Sequence, residues 1–216
     1  MMKIRKFMIV ATVLFSATAA QAQFGALLGG ASGGGGDISA EVSAFVTKSS
    51  ALSSLATNAL TAINSAFSTD AEVAKKKSEL ANINKITDPG EKDAKMRTLY
   101  ESESAELKRK QDSGELEKMA GQLSAEKQKQ VGAALGNIGI GILQAVDLGK
   151  TAQSIMQKAS MANALKIVPV KDAAPFLSKL IQDGSGLIPG LLKLAQGANI
   201  SVPPVTANST PTEIAM

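Results

Sequence analysis

The chain has 216 residues, 44% of them hydrophobic and only 3% aromatic, with 23 Lys and Arg against 19 Asp and Glu. It has no His and no Cys, which excludes a Ser-His or Cys-His pair, a thiolate nucleophile, an imidazole metal ligand and any disulfide. Catalysis would have to rest on carboxylates, Lys, Ser or the single tyrosine, Tyr100. The combinations to weigh are Tyr100 with Glu101 or Glu103, or a Ser-Lys pair. No motif gathers either set, and no acidic cluster has the loop spacing of a cation site. The expectation is a non-enzymatic protein without cofactor or metal.

Residues 1–22 read as a secretory signal peptide. Lys3, Arg5 and Lys6 form a basic start, Phe7 to Phe15 is an apolar run, and Ala20-Gln21-Ala22 offers a small-x-small cleavage site. Cleavage near Ala22 predicts a periplasmic or secreted bacterial protein. The apolar run is well short of the roughly 20 residues that a spanning helix needs, so retention as an anchor is the weaker alternative. Processing removes three bases and no acid, leaving 20 Lys and Arg against 19 acids. A near-neutral chain with interleaved signs lacks the basic face of a nucleic-acid binder, so no nucleic-acid partner is expected.

Residues 23–36, with four consecutive glycines at 33–36, read as a flexible tether. Beyond it Ala, Leu, Ser, Lys, Glu and Gln dominate, a mixture that favours helix. Asp37 is placed to cap a helix running to about Phe67. Along it Ile38, Val42, Phe45, Ser49, Leu52, Ala56, Ala59, Ile63 and Ala66 step by 4 and 3, the heptad rhythm of a seam facing one partner.

Thr69 and Glu72 fit a capping box that opens a second helix with a thin stripe of Val73, Lys77, Leu80 and Ile83. Asp88-Pro89 starts a third, carrying Met96, Leu99, Tyr100 and Leu107. Glu72–Lys76, Glu91–Lys95, Asp93–Arg97 and Glu106–Lys110 are acid-before-base pairs four apart, which predict solvated outer faces. The run Lys75-Lys76-Lys77 has the same explanation. After a break at 112–115 a long helix follows, with a fault near Ser124. Val131, Leu135, Ile138, Ile142, Ala145, Gly149, Ala152, Met156 and Ala159 repeat the 4,3 stepping.

Pro175 and Pro189 each fall in the first turn of a short helix, closed by Gly184 and Gly197. Residues 198–216, rich in Ser, Thr and Pro, read as a disordered tail. The predicted fold is all-α: an elongated helical bundle over 37–197, built on two long heptad-patterned helices with short C-terminal helices.

One segment draws attention. Gly132, Gly136, Gly139 and Gly141 lie close together in an apolar stretch, although each Gly lowers helix stability by roughly 1 kcal/mol against Ala. Close backbone approach is the physical reason to keep them, and Gly132 and Gly136 form a G-x-x-x-G step. Gly132, Gly136, Gly139 and Ile142 are therefore the candidate interaction residues. The expected function is a structural or protein-interaction component of a bacterial envelope or secretion assembly, bound to a protein partner or to itself. The alternative is membrane contact or self-assembly through 131–146, which Asn137, Gln144 and Asp147 weaken because each is unfavourable in hydrocarbon.

Overall fold

Local signals set most of the helix boundaries. The computed structural model describes residues 38–159 and 164–214, within which the chain forms six α-helices and no strand. The expected signal, tether and Asp37 cap lie outside the described residues. Helix α1 spans Ser39–Ala66. Helix α2, Asp70–Asn84, opens on the capping box: the Glu72 amide donates to Thr69 Oγ1 at 3.4 Å and the Thr69 amide to Glu72 Oε2 at 2.8 Å. Helix α3, Pro89–Asp112, begins with Pro at its first position, and the Glu91 amide donates to Asp88 Oδ1 at 2.6 Å. Gly114, in the left-handed region at φ 68°, turns the chain into the short helix α4, Glu115–Ala120. The fault at Ser124 is a full break, because its hydroxyl caps helix α5, Ala125–Lys158.

Helix α1 is the centre of the fold. All nine of its seam residues are buried, as are Ser53, Thr57, Leu60, Thr61, Ala62 and Asn64. Burial on so many sides exceeds a seam facing one partner: α5, α3, α6 and α2 all pack against this helix, α5 most extensively. Small residues at Ser49, Ser53, Ala56 and Ala59 leave room for close approach from several directions. The α1–α5 pair is antiparallel, since Lys158 at the end of α5 meets Glu41 at the start of α1 at 2.8 Å.

The rhythm expected along α5 is kept only in part. Val131, Leu135, Ile138 and Ala145 are buried, but Ile142 is half-buried and turns to Gly184 of α6, and beyond Ala145 it is Leu148 and Ile155 that take the inward side with Ala152. Gly149 is half-buried and Met156 is 39% exposed. The inward face follows the larger apolar side chains there, so a strict 4,3 count misassigns it by one position.

The C-terminal region differs from expectation. In place of two short helices there is one, α6, Val168–Gly197, which runs through Pro175, Gly184 and Pro189. Both prolines are exposed, on the side away from the core, and the buried residues Ala173, Phe176, Leu177, Leu180, Leu187, Leu191 and Ala195 hold the helix continuous. Packing along α5 and against α1, α3 and α4 outweighs the local helix-breaking signals.

Candidate functional site

The glycine-rich face of α5 is occupied by the chain itself. Residues 198–214 are not a free tail. They leave α6 at Asn199, which has φ 55°, and lie along α5 without regular structure. Ile200 is anchored, 6% exposed, with its amide donating to the Ala195 carbonyl at 2.8 Å. The Ser201 carbonyl then passes directly over Gly132, where a Cβ would overlap its oxygen. A Cβ on Gly136 would stand 2.8 Å from Pro203 Cγ, and one on Gly139 2.9 Å from Val205 Cγ2. Alternate residues 201, 203 and 205 therefore land on helix positions 132, 136 and 139. Two extended residues advance about 6.6 Å and 3.5 helical residues about 5.3 Å, so the two repeats stay nearly in register.

Two side chains of α5 read the backbone of this segment. Gln144 Nε2 donates to the Ala207 carbonyl at 3.2 Å. A turn follows in which the Ser209 amide donates to the Thr206 carbonyl at 3.1 Å. The chain then doubles back to Asn137, which is buried. Asn137 Nδ2 donates to the Thr212 carbonyl and Asn137 Oδ1 accepts from the Thr212 amide, both at 2.8 Å. This paired amide contact satisfies both the N–H and the C=O of Thr212 without regard to its side chain.

The four predicted interaction residues separate into two groups. Gly132, Gly136 and Gly139 lie together under the C-terminal segment, while Gly141 faces Leu52 of α1. Ile142 belongs elsewhere: its side chain fills the space beside Gly184 of α6, so that a Cβ there would overlap Ile142 Cδ1. Sequence reasoning missed Asn137 and Gln144 as backbone-reading groups and Ile200, Pro203, Val205 and Thr212 as their counterparts. Beside the segment an apolar groove of about 440 Å³ stays open. Gly136, Gly139, Ile188 and Leu192 line it together with the segment's Val202 and Pro203.

The acid–base pairs of the middle helices do not all face solvent. Glu72 is engaged in its cap, and Lys76 reaches instead to Glu103 at 2.7 Å and Glu106 at 2.5 Å on α3. Lys110, its side chain 4% exposed, pairs with Glu106 at 2.9 Å and donates to the Phe67 carbonyl and Ser68 Oγ at 3.0 Å. It thereby caps the carbonyl end of α1 with a positive charge. Asn64 Nδ2 donates to Glu103 Oε2 at 2.6 Å. Burial pushes the Glu106 carboxyl up, but the hydrogen bonds from Lys110 and Lys76 outweigh it and hold the group below its ordinary value. These groups come from three helices and pair with one another, while Asn64 Oδ1 is buried without a hydrogen-bond partner among the described residues. Lys75 and Lys77 face outward, which takes Lys77 off the stripe expected with Val73, Leu80 and Ile83.

Tyr100 is not paired with Glu101 or Glu103. It is buried against Phe176, edge to face at 5.4 Å, and its hydroxyl is hydrogen bonded to Asp183. Asp183 also accepts from Ser104 at 2.9 Å and pairs with Lys179 at 3.0 Å. Burial, and then the Asp183 charge, push the phenol well above its ordinary value. Helix α5 is the one helix among the described residues long and apolar enough to cross a membrane, and 61% of its most apolar window is buried in the protein. No protein-family profile matches the chain, and neither a curated protein nor a solved structure is detectably similar to it.

Proposed function

We propose that the chain is an exported, non-enzymatic helical protein that works by binding protein, as a structural or interaction component of a bacterial envelope or secretion assembly. The observation that carries this reading is the furrow on α5. Three glycines bring a helix backbone against an extended chain, two amide side chains read that chain's peptide groups, and an apolar groove remains open with Leu192 37% exposed at its rim. Such a surface recognises extended polypeptide by backbone and shape. The basic, apolar, small-residue order of residues 1–22 supports export. The buried seam of α1 and the buried Val131, Leu135 and Ile138 of α5 support a heptad-patterned pair as the scaffold beneath the furrow.

The membrane-active alternative is the weaker of the two. Lipid contact through 131–146 requires both the C-terminal segment and α6 to leave a helix whose apolar window is mostly buried. The test is fractionation of a bacterium expressing the full chain, with a photo-crosslinking residue at Leu192. The proposal predicts recovery outside the cytoplasm and a discrete protein adduct. Retention in the cytoplasm, with no adduct beyond the monomer, would overturn it.

A further inference from the structure

The furrow is filled by one particular segment, the chain's own residues 200–214, and a second copy carries the same segment. Three features make that segment detachable. Of its residues only Ile200 is fully buried, and Ser201, Pro203, Pro204, Thr206, Asn208, Thr210, Thr212 and Glu213 are exposed. The open groove shows that it covers only part of the apolar furrow. It joins α6 through Asn199, the one non-glycine residue with positive φ among those described, so a change at a single backbone position redirects the whole segment. A peripheral segment held this way opens at lower free energy than the core unfolds.

We propose that residues 200–214 exchange between copies: the segment of one chain lifts from its own α5 and seats on the α5 of a second copy, which returns the favour with its own. This rests on the reading of the furrow as an interaction site and names its partner. Each contact of the closed form is remade across the pair. Ile200 and Pro203 meet the partner helix at the Gly132 and Gly136 positions, and Thr212 meets the Asn137 position. Only the Asn199 junction changes, and the Gly136–Leu192 groove stays as it is in the closed form. Reciprocal exchange of an identical element is a low-barrier route to a two-fold dimer.

The absence of Cys from the chain makes this directly testable by disulfide trapping in the full chain. Gly139→Cys in a tagged copy is mixed with Val205→Cys in an untagged copy, brought to equilibrium and oxidised; a Cβ at 139 lies 2.9 Å from Val205 Cγ2, so the two thiols are within bonding reach when the segment is seated. Thr151→Cys, exposed on the same helix, replaces Gly139→Cys to set the collisional background. The Gly139→Cys/Val205→Cys double variant tests closure within one chain. The expected result is a disulfide heterodimer at least about tenfold above background, because a seated segment meets its partner at millimolar effective concentration. Heterodimer at background, with the double variant closing internally, overturns exchange and leaves the furrow reading standing. If the double variant does not close at all, the segment does not occupy the furrow and both ideas fall.

Discussion

Replacing Gly132 by Ala sets two effects of known sign against each other. Ala favours helix over Gly by about 1 kcal/mol. Gly149, on the same helix, isolates that gain, because an added Cβ there meets nothing within 4 Å. At Gly132 the Cβ would overlap the carbonyl oxygen of Ser201, and a backbone atom can retreat only if the segment lifts. A lift confined to residues 200–202 exposes Ile200, whose burial contributes about 2 kcal/mol. Little backbone freedom is regained, since Pro203 and Pro204 are already stiff. Gly132→Ala should therefore destabilise by about 1 kcal/mol while Gly149→Ala stabilises by about the same. The difference, about 2 kcal/mol, corresponds to roughly 4–8 °C between their melting temperatures. Thermal unfolding followed by circular dichroism measures it. If Gly132→Ala proves as stable as Gly149→Ala, the close contact between α5 and the segment is not real.

Other outcomes follow from the same contacts. Gly184→Ala should destabilise by about 1–3 kcal/mol through overpacking against Ile142. Adding Ile142→Val should recover part of that loss, and urea denaturation of the double-mutant cycle reads the coupling. Glu106 is held below its ordinary value of 4.5, so its folded carboxyl binds a proton less readily than the unfolded one. Its contribution is complete above about pH 4.5 and is lost as pH falls through the lower folded value. Glu106→Gln should flatten that part of the stability-against-pH curve. Tyr100 is the only tyrosine and the chain has no tryptophan, so ultraviolet titration reports it alone. Its phenol should stay protonated through about pH 10, where free tyrosine ionises, and Asp183→Asn should bring its ionisation down.

Much of the fold is legible where the determinant is local. The all-α class, the extent of α1, the Thr69–Glu72 box, the Asp88-Pro89 start and the break before Glu115 all depend on residues within one turn of each other. The charged network is not legible in this way. Glu72–Lys76 looks like a surface pair four residues apart, yet Lys76 finds Glu103 and Glu106, 27 and 30 residues away. Spacing along one helix carries no information about which other helix will lie beside it.

Gly184 and Pro189 mislead for a related reason. As local signals they end helices, but Gly184 is kept as space for Ile142 and exposed Pro189 is tolerated by a well-packed inner face. The furrow was half legible. Four glycines in an apolar helix announce a close approach, but not that the approaching chain is a Pro-, Ser- and Thr-rich segment some 70 residues later. Composition alone marks that segment as disordered. The faint contrary signal is the spacing of Ile200, Val202 and Val205 around Pro203-Pro204, an extended apolar edge rather than a solvated tail.

The account depends on the C-terminal segment being seated on the glycine face of α5. Hydrogen exchange of the full chain, resolved to individual amides, tests this most directly. The Thr212 amide, held by Asn137, and the Ile200 amide, held by the Ala195 carbonyl, should exchange far more slowly than the exposed, unbonded amides around them. Exchange of both at the rate of a free peptide would contradict the seat, and with it the interaction role built upon it.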